Sequence, residues 1–189
     1  MPSVADPTPP RERILAAAHD LFYAEGIRAT GIDRVIAASG VAKLTFYRQF
    51  ASKDELIRAF LEFRHQRWMA WFTDALARHG GHVGALVPAL AEWFGSEGYR
   101  GCAFLNTVGE LGPALPDVVE TARRHKQDMT DAILALLPRD SGRAAARLQL
   151  ARAIAVAVDG AIVQAQYLGS PAQALAPLRT LLDALVPGR

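Results

Sequence analysis

Within KLTFYRQ, residues 43–49, five of the seven side chains (Lys, Thr, Tyr, Arg and Gln) are of kinds that can read the edges of DNA bases. Lys43 and Arg48 can donate to the acceptors of guanine, Gln49 can pair with adenine, and the Thr45 methyl can touch the methyl of thymine. On a helix, Phe46 and Phe50 (i and i+4) share one side. Lys43, Leu44, Thr45, Tyr47, Arg48 and Gln49 are then left to the outside. Each of these residues is ordinary on a surface helix, so the weight rests on their clustering beside a turn of suitable length.

The elements that must hold this face lie on either side of it. Residues 30–53 read as two short helices joined by a tight turn at Ser39-Gly40. Residues 32–39 form the first, with Val35 and Ile36 apolar and Thr30 or Gly31 at its start. Val41 follows the turn and plugs the space between the helices. Ahead of them, Ile14, Leu15, Ala18, Leu21 and Phe22 repeat at three- and four-residue spacing and predict a helix that Gly26 ends. Arg11 and Arg13 open that helix, within reach of a phosphate backbone or simply solvated. Beyond the motif, Ser52 and Glu55 make a capping box that opens a long helix over residues 53–78. Lys53 sits in its first turn, where acids are preferred. A phosphate at that helix start would account for it.

Charge agrees with one anion-facing region on a nearly neutral chain. The 189 residues carry a formal net charge of +2, yet residues 26–53 hold five basic residues (Arg28, Arg34, Lys43, Arg48, Lys53) against Asp33 alone, a local +4. A basic patch of this size fits either a nucleic-acid face or a solvated surface. The 51% hydrophobic content suffices for a packed core. Cys102 is the single cysteine, which excludes an intrachain disulfide and a cysteine-based zinc site. It reads as a small buried hydrophobe or as a redox sensor. No signal sequence is expected, and no uninterrupted apolar run reaches membrane length; the longest, Ala153 to Val163, carries Asp159 and Gly160. No phosphate-binding glycine loop, G-x-S-x-G elbow or HExxH helix is present. Neither an enzyme nor a cofactor is therefore expected. His79 and His82 lack a neighbouring Asp, Glu or Cys in sequence to complete a metal site.

The rest of the chain reads as helices. Residues 1–10, with four prolines, are expected to be a disordered tail. The 53–78 helix carries apolar residues on two flanks and is expected to lie against both of two domains. A fifth helix is predicted over residues 83–94 with a kink at Pro88, a sixth over 102–111 and a seventh over 117–137. The next helix, residues 144–168, is alanine-rich, and on it Leu148, Ala151, Ala155, Val158, Ile162 and Ala165 recur at heptad-like spacing. The last places Leu175, Leu178, Leu182 and Leu185 at spacings of 3, 4 and 3. These two helices either complete the core of one domain or pair with the same helices of a second copy.

Residues 31–61, GIDRVIAASGVAKLTFYRQFASKDELIRAFL, resemble the DNA-binding domain of TetR/AcrR-type transcriptional regulators. The likeness rests on Gly40-Val41, Lys43, Thr45, Phe46-Tyr47, Phe50 and the Ser52-Lys53-Asp54-Glu55-Leu56 helix start. RGCAFLNTVGEL, residues 100–111, resembles the sixth-helix region of many members. The resemblance implies an all-α, nine-helix, two-domain architecture. Residues 11–52 would be the three-helix helix-turn-helix domain and 53–189 the ligand-binding and dimerisation domain. It implies a cytoplasmic, nucleoid-associated homodimer on a palindromic double-stranded operator, most often a repressor relieved by a small-molecule effector, with no membrane partner. A helical protein-interaction module without DNA is the alternative. Carried over, the DNA-contacting positions are Lys43, Leu44, Thr45, Tyr47, Arg48, Gln49 and Lys53. Leu44 stands where members often have Gly, Pro or Ala. Gly31 stands where Thr is usual, so Thr30 is expected to take over that contact. The effector cavity would draw on Trp68, Trp71, Phe72, Trp93, Phe104, Asn106 and Glu110; ordinary core packing of the aromatics and a solvent-facing Asn106 and Glu110 are the alternative reading. The dimer interface would use Leu148, Ala151, Ala155, Val158, Ile162, Ala165, Leu175, Leu178 and Leu182.

Overall fold

A computed structural model describes residues 8–138 and 143–186. The expected tail over residues 1–10 lies mostly outside them. Its last residue, Pro10, is the first of helix α1, where its fixed φ and missing N–H do no harm. Among the described residues the architecture is all-α, with nine α-helices: α1 Pro10–Glu25, α2 Ile32–Ser39, α3 Lys43–Gln49, α4 Lys53–Arg78, α5 Leu86–Phe94, α6 Ala103–Leu111, α7 Asp117–Leu136, α8 Ala144–Tyr167 and α9 Pro171–Leu185.

The chain forms two compact units, and they divide elsewhere than at residue 52. One comprises the chain up to Arg64 together with Ala103–Val119; the other comprises His65–Cys102 and the chain from Glu120 onward. The first twelve residues of α4 go with the head because their apolar side chains complete its core. Leu56 and Phe60 are fully buried there, and the Phe60 ring meets Phe22 of α1 edge-on at 5.4 Å. Ile14, Ala18 and Phe22 supply the buried stripe of α1, with Val35, Phe46 and Phe50 facing it from α2 and α3.

In the second unit α8 packs along α9, and α9 along α5. The element before α5 is a 3-10 turn, Val83–Ala85. Pro88 then falls in the first turn of α5, where a missing N–H costs nothing, and no kink is needed. On α6 the buried side is Ala103, Phe104 and Thr107, while Leu105 is exposed; the Thr107 hydroxyl donates to the Ala103 carbonyl and so is satisfied. On α7, Leu136 is half-buried and Leu137, just after it, is buried.

Most residues of the expected dimer seam are taken up inside the chain. Ala151, Ala155, Val158 and Ile162 of α8 and Leu175, Leu178 and Leu182 of α9 are all buried inside the single chain, and Leu148 and Ala165 are half-buried. The heptad-like spacing records the packing of α8 against its own chain. A side chain without accessible surface cannot form an interface. The exposed apolar residues lie on the adjacent stripe: Val156, Val163 and Tyr167 on α8, and Leu181 and Leu185 on α9. With apolar residues on both stripes, α8 is long and apolar enough to cross a membrane, with a mean hydropathy of 1.4 in its best window. The run is not uninterrupted: Arg152 and Asp159 fall within the helix, and Asp159 is ion-paired to Lys126 of α7.

Candidate nucleic-acid interface

The turn is set by Gly40. Its backbone is left-handed (φ 64°, ψ 21°), a region in which a side chain is strained, and Val41 after it is buried as a plug between α2 and α3. Helix α3 then has one possible orientation. Phe46 and Phe50 are fully buried, which turns the other side outward. Leu44 is 65% exposed and Tyr47 44%, with the Tyr47 ring braced edge-on against Phe46 at 5.3 Å. Lys43 and Arg48 are exposed; Thr45 and Gln49 are half-buried at the flanks. The outward set is the one the spacing predicts.

The free charge on this surface is less than the sequence count suggests. Lys43 donates to Asp33 of α2 at 3.1 Å, and this hydrogen bond raises its pKa above the ordinary lysine value. Arg34 is ion-paired with Glu25 of α1. Arg11 lies over the Phe50 ring, 4.4 Å from its centroid, and points at the Gln49 carbonyl. The Arg48 side chain makes no hydrogen bond or ion pair among the described residues. Because Asp33 is itself exposed, Lys43 can exchange it for another acceptor at little cost.

Two expected contacts take internal roles. Thr30 has no exposed surface, and its hydroxyl donates to the Gly26 carbonyl at 2.8 Å. It ties the α1–α2 loop to itself and cannot reach a phosphate without opening that loop. Lys53 is half-buried and donates to the Ile27 carbonyl at 2.6 Å; burial lowers its pKa. Its unusual place in a helix first turn is thus explained within the chain, and the other two N–H donors of the ammonium remain for a phosphate. The capping box forms with one change of partner. Ser52 Oγ accepts the Glu55 N–H at 3.1 Å, while the Glu55 carboxylate accepts the N–H of Ala51, one residue before the cap.

The residues proposed for an effector separate between the units. Trp68, Trp71, Phe72 and Trp93 belong to the second unit and form one aromatic cluster. Trp68 stacks on Phe72 at 4.6 Å and meets Trp93 edge-on at 5.5 Å, with Trp71 6.1 Å away. Phe104, Asn106 and Glu110 belong to the first unit. There Phe104 is buried and Asn106 exposed. Glu110 is committed elsewhere: its carboxylate accepts the Arg28 N–H at 2.9 Å, closing α6 onto the loop before α2. Gly26 in that loop has φ 90°, a backbone that favours glycine, and a Cβ on it would crowd a Glu110 oxygen at 3.2 Å.

Sequence reasoning missed a histidine pair. His65 of α4 and His125 of α7 face each other through their Nδ1 atoms at 3.2 Å, and His65 Nε2 lies 3.4 Å from Asp128. Separated by 60 positions, they have no local signature. Only the i, i+3 placement of His125 and Asp128 on an otherwise amphipathic α7 could have hinted at it. No group of three or more His, Cys, Asp or Glu among the described residues could hold a metal ion. His79 instead bonds Glu92 at 2.6 Å, and His82 caps the 3-10 turn.

Residues 14–60 match the family model described as bacterial regulatory proteins, tetR family. The chain is 30% identical over 158 residues to the HTH-type transcriptional activator FasR of Mycolicibacterium smegmatis, covering 80% of this chain and 70% of that protein. It is 29% identical over 121 residues to the HTH-type transcriptional repressor ComR of Escherichia coli, covering 61% and 58%. Among solved structures, a TetR-family transcriptional regulator of Streptomyces coelicolor superposes with a TM-score of 0.79 at 31% identity over 93% of both chains. A putative regulator of the same kind from Streptomyces avermitilis gives 0.75 at 30% identity, covering 94% of this chain and 98% of that one.

Proposed function

The chain belongs to the tetR family of bacterial regulatory proteins, as a transcriptional regulator with a DNA-binding helix-turn-helix and not an enzyme, and we propose that it works as a homodimeric repressor released from a palindromic operator by a small molecule. The observation that carries this reading is the face of α3. Lys43, Leu44, Tyr47 and Arg48 stand outward on a helix whose other side is locked by the fully buried Phe46 and Phe50. In the groove, Arg48 donates to guanine and Leu44 meets a thymine methyl. Thr45 and Gln49 contact the flanking bases, Lys43 leaves Asp33 for a base or phosphate, and Lys53 turns its remaining donors to the backbone.

Two copies pair through the outward stripe of α8 and α9, where Val156, Val163, Tyr167, Leu181 and Leu185 leave an apolar surface unexplained within one chain. A twofold axis through that stripe makes the interface self-complementary. The two copies of α3 then sit roughly 34–36 Å apart in successive major grooves. An effector bound beside the aromatic cluster of α4 favours a state with another spacing, and shifts the equilibrium only by its differential affinity for the two states. The protein works in the cytoplasm, where its operator is.

Footprinting on the promoter upstream of the protein's own gene tests this. A protected, two-fold symmetric site that the purified protein alone occupies supports it. Absence of protection at low salt on any genomic fragment leaves the helical interaction module as the better reading. Activation is a second possibility, favoured by the 80% of this chain that aligns with an activator. Transcription in vitro from the protected promoter, falling or rising on addition of protein, decides between repression and activation.

A further inference from the structure

Trp68 is 6% exposed, and its indole Nε1–H is buried without an acceptor. Nearly all buried donors in native proteins are paired, so an orphaned indole N–H calls for a partner that is absent from the chain itself. Its surroundings restrict what that partner can be. The ring is stacked on Phe72 at 4.6 Å, closed edge-on by Trp93 at 5.5 Å, and met edge-on by the His125 imidazole at 5.0 Å. His125 is itself 2% exposed and shares a proton with His65 across 3.2 Å, Nδ1 to Nδ1. Two imidazoles whose Nδ1 atoms oppose each other cannot both carry a proton there, so one donates and the other accepts. Asp128 lies 3.4 Å from His65 Nε2 on the far side of the pair.

From this we infer that the effector is an aromatic carboxylate, with its oxyanion on the Trp68 indole N–H and its ring against the rings around Trp68. This rests on the regulatory reading above and gives it a ligand class. An aromatic surround could equally suggest a cationic guest, since ring faces attract ammonium groups. One feature decides against one: the unsatisfied group is a donor, which needs an acceptor, and an ammonium offers none. A neutral hydrocarbon would leave the indole donor unpaired, with the desolvation penalty that implies. A carboxylate satisfies it with a charge-assisted bond.

Isothermal titration calorimetry on the full-length, DNA-free protein tests the inference, with 1-naphthoate and 1-naphthylmethylammonium as probes of matched size. Naphthoate is expected to bind at least about tenfold more tightly than the ammonium, the ratio that one hydrogen bond to a charged group supports. Trp68→Phe, which keeps a ring and deletes the N–H, should lower naphthoate affinity by about tenfold. Equal or tighter binding of the ammonium, or no binding of either probe at millimolar concentration, overturns the assignment. So does unchanged naphthoate affinity in a Trp68→Phe protein with a native melting curve. If that variant does not fold, the selectivity of the native chain decides alone. Operator binding by the ligand-free protein is measured in parallel. Its failure counts against the regulator and leaves the calorimetry to judge the subsite.

Discussion

Helices α3 and α8 both carry a pattern from which an outer face can be read, and only α3 wears that face outward. On α3 the two kinds of residue are chemically distinct. Phe46 and Phe50 go in, and the Lys, Tyr and Arg between them go out, so polarity alone orients the helix. On α8 the residues of both stripes are apolar. Ala151, Ala155, Val158 and Ile162 recur at heptad spacing, and so do Val156, Val163 and Tyr167 on the neighbouring stripe. One stripe packs within the chain and the other does not. Periodicity shows that such stripes exist; it does not say which one is satisfied at home.

Substitutions at adjacent positions of α8 would break this comparison most sharply. Ala155→Glu puts an unpaired carboxylate into a buried site and is expected to cost roughly 3–5 kcal/mol. Thermal melting should show a protomer that is severely destabilised or unfolded. Val156→Glu, one residue on and 73% exposed, should leave the fold intact and yield monomers by light scattering. A folded Ala155→Glu monomer beside a dimeric Val156→Glu protein would restore the buried stripe as the interface. On α3, Phe46→Ala should cost roughly 3–5 kcal/mol in chemical denaturation, with operator binding lost together with the fold. A cost below 1 kcal/mol would mean that Phe46 does not hold the helix in its orientation.

Arg48→Ala acts at the outward face and should spare the melting temperature. It should weaken operator binding by roughly 1–3 kcal/mol and relax preference at one base pair, read from a panel of single-base operator variants. A uniform loss on every sequence would make Arg48 a phosphate contact. The smallest effect is expected at the start of α4. Ser52→Ala removes the Oγ that accepts the Glu55 N–H and should cost about 1 kcal/mol of stability while operator specificity is kept. An unchanged melting curve would show that the Glu55–Ala51 bond suffices as the cap.

Much of the fold was legible because its signals are local. The bounds of α2 and α4, the turn at Gly40, the capping residues Ser52 and Glu55, and the breaks at Gly26 and before Pro171 follow from neighbouring residues. The outward set of α3 was legible for the same reason. What stayed hidden depends on partners distant in sequence. Thr30 could not be recognised as buried, nor Lys53 as bonded to Ile27, because both contacts require the α1–α2 loop to fold back. Glu110 looked like a pocket residue until Arg28, 82 positions earlier, supplied its N–H. The pairing of His65 with His125 and the orphaned Trp68 donor arise only where α4 meets α7. The local charge of +4 already includes Asp33, but Glu25, just outside the counted segment, neutralises a further part of it by pairing with Arg34.

The central claim is that two copies of α3, presented by one dimer, read one operator. Fluorescence anisotropy of a labelled duplex carrying the footprinted site, titrated with ligand-free protein across a range of salt concentrations, tests it most directly. The expected result is saturation at two chains per duplex, with log affinity falling linearly and steeply with log salt as several phosphates are neutralised. Saturation at one chain per duplex, or affinity indifferent to salt and equal on a scrambled duplex, would contradict it.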